Sequence, residues 1–318
     1  MYSYFWNFIN ARKQGVNRGI AYGFLVVLSL VFSIPRYKEG WFYYAALAYP
    51  LLVVSILELT KRLLPMVAQV QVKSLALVGS KTDRERLNHW WNNLDKRSRF
   101  ILCITVALVL ALLSLAFNAN PTWSRYSDAL GIFYIGFMVG DILYLLLGAQ
   151  AGIYQLKEFP LKLNPLDPAN TVDLRKLAET TFAIAISIGF SLLILNSIIA
   201  MASYLFRHLL SGVIVVSVLA WVTIIILSIY PHLIFWQIVQ SKKQETLRML
   251  EDKLVNLYLD VKKKGVVSPN IEEMLKLQTQ VMKNKSFPIS GSELFSIMST
   301  LFLNLLPLIL RYFKINIP

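Results

Sequence analysis

The chain has 318 residues, of which 56% are hydrophobic and 16% are charged, and its mean hydropathy is +0.54. Soluble domains carry about 25% charged residues, so this composition argues against an ordinary soluble enzyme. A net charge of +14 would suit nucleic acid, but the basic residues collect between the apolar segments, which indicates membrane topology and no nucleic-acid partner. The single cysteine, Cys103, excludes an intrachain disulfide and a cysteine-based metal site.

Apolar segments long enough to cross a bilayer recur along the chain, since a crossing helix needs about 20 mostly apolar residues. They predict an all-α polytopic membrane protein with six transmembrane helices: Gly19–Pro35, Trp41–Leu57, Phe100–Phe117, Ala129–Ile153, Ala178–Phe206 and Leu209–Gln237. A seventh segment, Leu294–Leu310, is apolar enough to cross but contains Asn304 and Pro307. We expect it to cross, with a re-entrant or interfacial helix as the alternative.

Basic residues predict the orientation, because Lys and Arg near span ends are kept on the cytoplasmic side. Of the 32 Lys and Arg residues, 26 lie in the N-terminal tail or in three stretches on the same side as that tail. We therefore expect an integral protein of a plasma or bacterial inner membrane with a cytoplasmic N-terminus. Its partners would be the lipid bilayer and the anionic lipid headgroups that meet its basic loops.

The spans and loops predict six regions along the chain. They are a cytoplasmic tail (1–18), a transmembrane hairpin (19–58), a cytoplasmic amphipathic loop (59–99), a four-helix transmembrane region (100–237) with a Pro-rich cytoplasmic loop (157–172), a cytoplasmic helical hairpin (238–290) and a C-terminal membrane helix (291–318). In the first loop, Trp90 and Trp91 stand among charged residues. This pattern predicts an amphipathic helix at the lipid headgroups.

The segment after the sixth span predicts a long helix that leaves the membrane. Its apolar residues have the 3 and 4 spacing of a coiled-coil seam: Leu247, Leu250, Leu254, Leu257 and Val261. Gly265 ends this helix, and Ser268-Pro269 begins a second one with an apolar face. The second helix covers the seam within one chain, or the seam joins the subunits of a homo-oligomer.

Polar residues inside the spans are candidates for an ion pathway. Asp141 in the fourth span is flanked by Gly136 and Gly140, which allow another helix to approach closely. It is either a cation or proton site or a buried carboxylate that bonds to a neighbouring helix, and no intramembrane Lys or Arg offers itself as a countercharge. The other candidates, which serve equally in helix packing, are Ser187, Ser191, Asn196 and Asn304.

Pro231 and His232 lie where the sixth span becomes a cytoplasmic helix, and they are candidates for a gating hinge or for plain structure. Catalysis is not expected. The three histidines lie in different parts of the chain, and the motifs of zinc proteases, serine hydrolases and nucleotide-binding loops are missing. We expect no metal and no cofactor.

Two resemblances follow from these features. The run Leu163-Asn164-Pro165-Leu166-Asp167-Pro168 resembles a loop of uncharacterised bacterial multispan proteins, although Asp167 stands where that loop has His and its glycines are missing. The layout of seven helices with a cytoplasmic hairpin before the last is similar to insect chemoreceptor-type channels. That resemblance implies subunit assembly through the hairpin and a cation pore along the last helix, but the C-terminal Tyr and Gln signature of that family is absent here.

Together these features favour an oligomeric ion channel or membrane-permeabilising effector that is gated through its cytoplasmic helices. The alternatives are a secondary transporter and a non-transporting membrane sensor or scaffold. A transporter fits less well, because the chain has no clear inverted repeat and no paired broken helices.

Overall fold

The structure, a computed structural model, describes residues 18–31, 42–93, 96–117, 123–205, 210–264 and 270–286, with Ile34, Pro288 and Ser299 as isolated residues. In these ranges the chain is helical apart from its connections and one β-bridge. The helices are α1 (Arg18–Val31), α2 (Phe42–Leu77), α3 (Lys81–Asn92), α4 (Lys96–Phe117), α5 (Trp123–Gln155), α6 (Val172–Leu205), α7 (Leu210–Lys264) and α8 (Asn270–Lys283).

The helices pack side by side in a bundle. Helix α4 lies along α5, α2 contacts α1, α5 and α6, and α7 contacts α6 and α5. Helices α2 and α5 run in the same direction, because Tyr49 near the start of α2 donates to Asp128 near the start of α5, and Leu57 packs further along with Met138. Helix α4 runs antiparallel to α5, since Ala107 faces Gly136 and Cys103 faces Gly140.

A large apolar core occupies the second half of α2 and α5, the first half of α6 and the middle of α7. Leu63, Val70 and Phe235 are fully buried there. Helix α3 adds Leu87 and Trp91, so its apolar face packs on the protein. The predicted amphipathic helix therefore exists, but its buried tryptophan is not available to lipid headgroups.

The expectation of six or seven transmembrane helices is wrong for the part of the chain that the structure describes. Two helices there are long and apolar enough to cross a membrane, Arg97–Ala116 and Tyr126–Glu158. The all-helical composition is as expected. Most side chains of two other expected spans, Ala178–Phe206 and Leu209–Gln237, lie outside the described residues.

Two of the expected spans correspond to α1 and α2. The described part of α1 has 14 residues, or about 21 Å, and the rest of that expected span lies outside the described residues apart from Ile34. Helix α2 does not end near Leu57 but continues through Glu58, Lys61 and Arg62 to Leu77, and its second half belongs to the protein core. The seventh expected span, Leu294–Leu310, lies outside the described residues apart from Ser299.

The Pro-rich loop is folded onto the end of α2. Lys162 N donates to the Leu77 carbonyl at 2.7 Å, and Gly79 N donates to the Pro160 carbonyl at 3.0 Å. These two bonds form the bridge between Val78 and Leu161. The prolines prevent this segment from continuing as a helix, and the bridge fixes its path across the bottom of the bundle.

Helices α7 and α8 form the predicted hairpin. Helix α8 packs against α7 within one chain, with Leu250 and Val281 buried and Leu247, Leu254 and Leu257 partly buried. The side chain of Val261 lies outside the described residues. The structure thus has the first of the two arrangements left open by the sequence, in which α8 covers the seam.

Candidate functional site

The most distinctive polar feature of the bundle is a buried ion pair between α4 and α5. Arg99 Nε donates to Asp141 Oδ1 at 2.6 Å, and Arg99 Nη2 reaches the same oxygen. Both side chains are buried, with exposures of 7% and 1% for the two residues. The Arg99 guanidinium also lies 5.8 Å from the centre of the Tyr144 ring, at a distance that allows a cation–π contact.

Asp141 therefore has the countercharge that the sequence did not suggest. Arg99 precedes the apolar run Phe100–Phe117 and was grouped with the preceding loop, but it belongs to the first turn of α4. Helix α4 begins level with the middle of α5, and for this reason a residue at one helix end reaches a residue at the centre of its neighbour. A buried carboxylate without a partner is costly, and the charged hydrogen bonds from Arg99 offset part of the cost of removing Asp141 from water.

Two glycines bring α4 and α5 into close contact beside the pair. A Cβ added at Gly140 would lie 2.7 Å from the Cys103 Cα, and one added at Gly136 would lie 2.8 Å from the Ala107 Cα. The Cβ atoms of real side chains essentially never lie this close to another heavy atom. The small residues thus allow the close helix approach that their spacing predicts, and the ion pair fixes the register of the two helices.

Charged residues of α2 lie at the same height as the pair. Arg62 is thirteen residues beyond Tyr49, and Asp141 is thirteen residues beyond Asp128, the residue that Tyr49 contacts. Lys61 and Arg62 are exposed. The height of the Arg99–Asp141 pair thus separates an upper part of the bundle, whose surface on α4 is apolar, from a lower part with charged residues on α2 and α6.

A second buried carboxylate lies higher in α5. Asp128 is 4% exposed, and its Oδ1 accepts a hydrogen bond from the Tyr49 hydroxyl at 3.1 Å. The sequence reasoning missed it because it immediately precedes the apolar run that was taken as the span. Asp128 precedes Asp141 by thirteen residues in the same helix. The two carboxylates are therefore well apart and do not form one site.

The other predicted ion-pathway residues do not gather around Asp141. Ser191 Oγ donates to the Ser187 carbonyl within α6 at 3.0 Å, so this pair bonds along its own helix. The side chain of Asn196 and the whole of Asn304 lie outside the described residues. These residues therefore stay predictions as a pathway.

The hinge candidates lie inside an unbroken helix. Pro231 is an internal residue of α7 and is buried, and it lines a small gap against Thr181 and Ile184 of α6. His232 is 5% exposed, and its ring is 6.2 Å from that of Phe235 in an edge-on contact. Within the described ranges, no group of three His, Cys, Asp or Glu residues is arranged to hold a metal ion.

Comparisons with protein-family models, curated proteins and solved structures found no match to this chain. The two resemblances drawn from the sequence therefore stay predictions. Function has to be argued from the geometry of the chain itself.

Proposed function

We propose that the chain is a membrane-anchored sensor or scaffold, held in the bilayer by α4 and the upper half of α5. The lower bundle and the α7–α8 hairpin would project into water and bind a soluble partner. This proposal treats the two helices that are long and apolar enough to cross a membrane as one hairpin.

The observation that carries the proposal is the exposed apolar surface of α4. Phe100, Ile101 and Leu112 are 50%, 55% and 62% exposed. Within the apolar stretch Arg97–Ala116, 22% is buried inside the protein. A core helix of a soluble protein is mostly buried. Exposed apolar surface of this extent marks a contact with a membrane or with another protein, and a bilayer is the cover that we propose for α4.

The length of the hairpin supports the same proposal. From Arg99 to Phe117, and from Trp123 to Asp141, each helix has 19 residues, or about 28 Å at 1.5 Å per residue. The hydrocarbon layer of a bilayer is about 30 Å thick. The Arg99–Asp141 pair would then lie at the polar boundary, where exposed Lys61 and Arg62 can meet headgroups.

Two observations favour a scaffold over the channel and the transporter, which stay predictions. The Asp141 carboxylate is already bound to Arg99, so it does not offer a vacant charge to a cation. The coiled-coil seam is covered by α8 of the same chain, and a face of α7 beside the seam is exposed. That face carries Val255, Tyr258 and Leu259, and the chain's net charge of +14 favours a partner of net negative charge.

A matched pair of charge insertions tests the membrane anchor. Leu108 in the middle of α4 is 48% exposed and Val72 on the lower part of α2 is 62% exposed. We expect Leu108→Asp to reduce the fraction of chain retained in membranes after alkaline extraction, because Asp at a span centre costs about 3 kcal/mol. Val72→Asp should be retained like the wild type. Equal retention of both variants would contradict the anchor.

Ion flux into proteoliposomes separates the scaffold from the other two functions. We expect no flux above that of empty liposomes. A flux that Asp141→Asn abolishes, in a variant that still folds, would contradict the scaffold and favour a channel or a transporter.

A further inference from the structure

A cleft at the bottom of the bundle has the features of a small-molecule site. It lies between the segment that follows α5 and the polar part of α7, and its volume is about 390 Å³. Its apolar floor is formed by the partly buried side chains of Phe159 and Leu161, and the buried side chains of Leu156, Leu163 and Ile238 support that floor from inside the protein. Ligand sites typically measure about 300–1,000 Å³ and combine an apolar lining with a few polar groups.

The walls of this cleft are fixed by backbone hydrogen bonds. The bridge between Val78 and Leu161 ties one wall to the end of α2, and Pro160 and Lys162 supply the bonds on either side of it. The opposite wall is a continuous helix, α7. A ligand therefore meets a preformed surface, and little binding free energy is lost in ordering the protein.

Two lysines on the polar rim of the cleft have different partners. Lys242 pairs with Glu245 at 2.8 Å. Lys157 donates instead to Gln237 Oε1, a neutral acceptor, and lies 5.0 Å from the centre of the Tyr154 ring. Among the ion pairs of the described residues, none joins a carboxylate to Lys157.

An anion at Lys157 would replace a neutral acceptor with a charged one. Hydrogen bonds between ammonium and carboxylate or phosphate groups are roughly twice as strong as those between neutral groups. The Gln237 amide lies on the same rim and can turn to donate to the same anion. The position of Lys157 beside an apolar floor thus favours a ligand with one anionic end and one hydrocarbon end.

We propose that this cleft binds an amphiphilic anion, with its carboxylate or phosphate group on Lys157 and its alkyl chain on the floor formed by Phe159 and Leu161. This site stands apart from the Arg99–Asp141 pair, since Lys157 follows Asp141 by sixteen residues along the chain. The inference does not depend on the membrane anchor or on the scaffold function.

Decanoate, decanol and acetate separate the contributions of head and tail. The full chain in nanodiscs of zwitterionic phosphatidylcholine is titrated with each compound, and heat is measured. We expect saturable binding of decanoate, with decanol and acetate each at least about tenfold weaker, because each lacks one of the two contacts. Decanol binding as tightly as decanoate would overturn the proposal, and so would the absence of saturable decanoate binding.

Variants of the rim and of the wall locate the site. Lys157→Met keeps the apolar stem and should weaken decanoate binding by about tenfold to a hundredfold, whereas Lys157→Arg should restore it. Ser241→Trp places a large ring in the cleft and should abolish binding. Gln244→Trp is its control, since Gln244 is exposed on the same helix and does not line the cleft. Equal binding losses in the two tryptophan variants would overturn the proposed location.

A free fatty-acid-like molecule and an anionic phospholipid offer the same chemistry. Melting temperatures in nanodiscs of phosphatidylcholine, with and without phosphatidylglycerol, distinguish them. A rise caused by phosphatidylglycerol in the wild type and absent in Ser241→Trp would identify a bilayer lipid as the source. A rise caused by decanoate alone, with the same dependence on Ser241, would identify a free amphiphile.

Discussion

Helix α4 above the Arg99–Asp141 pair and the core below the pair differ in how they use apolar residues. Above, α4 and α5 meet backbone to backbone at Gly136 and Gly140, and large apolar side chains face outward. Below, large side chains such as Phe235 and Leu145 are buried inside. The first pattern is typical of helix pairs in lipid and the second of cores in water. Helices α2 and α5 run through both regions.

The largest expected effect comes from breaking the pair at the border of the two regions. Arg99→Met leaves the buried Asp141 unpaired and should lower the free energy of unfolding by about 3–5 kcal/mol. The double variant Arg99→Met/Asp141→Leu should recover most of that loss, because it leaves no buried charge. Chemical denaturation in one detergent measures both. A single variant within about 1 kcal/mol of the wild type would show that water already reaches the pair.

The next effect concerns the hairpin that extends the lower region. Leu250 is 9% exposed between α7 and α8, and Leu250→Asp should cost about 3 kcal/mol, since it removes apolar burial and buries a charge. We expect faster hydrogen exchange in α8. Val255→Asp is the control, because Val255 is 58% exposed on the same helix and should change stability by less than about 0.5 kcal/mol. Unchanged exchange in Leu250→Asp would contradict the covered seam.

Alanine substitutions at Gly140 and Gly152 test how the helices are packed in each region. A Cβ at Gly140 would meet the Cys103 backbone, whereas a Cβ at Gly152 would lie 2.1 Å from a ring carbon of Trp91. Each change to Ala should cost about 1–3 kcal/mol in thermal unfolding. Trp91→Leu should rescue Gly152→Ala but not Gly140→Ala, because only the former clash involves that side chain.

Gly23→Ala in α1 is the control for these variants, since an added Cβ at this position has no described atom within 4 Å. It should raise stability slightly, by about 0.5–1 kcal/mol, through better helix propensity. Rescue of both clashing variants by Trp91→Leu would mean that the loss at Gly140 is not a helix-to-helix contact.

The smallest effect is expected at the surface of the lower region. Lys73 pairs with Asp173 across α2 and α6 at 3.1 Å, and their side chains are 29% and 38% exposed. Lys73→Ala should cost less than about 1 kcal/mol, and the loss should shrink in high salt because exposed charges are screened. A loss as large as that of Arg99→Met would erase the distinction between the two ion pairs.

Local patterns in the sequence predicted local structure well. The helical hairpin after Gln237 followed from the seam and from the Gly265 and Ser268-Pro269 signals, because these depend on neighbours in the chain. The close approach at Gly140 followed from small residues at helical spacing. The β-bridge of Leu161 with Val78 has no such signal, since it joins segments that are far apart in the chain.

Two features of the candidate site depended on contacts that a sequence does not contain. Arg99 was grouped with a loop because the uncharged apolar run begins at Phe100, and its partner lies 42 residues away. The number of spans was overestimated for a related reason. Ile184 and Ile234 belong to two expected spans but are buried in the protein core, and hydropathy alone does not reveal whether lipid or protein covers a side chain.

Mechanically, α7 is a lever. It continues through Pro231 without a break to Lys264, so the part beyond the proline is about 50 Å long. The core holds the first turns beyond Pro231 through Phe235 and Val239. The arm that can swing therefore runs from Gln240 to Lys264, about 37 Å, and a tilt of about 10° would carry its far end through about 6 Å. Because α8 is packed along that arm, a change of less than 1 Å among the side chains at the base of the arm would become a displacement wide enough to uncover or hide a partner's binding surface.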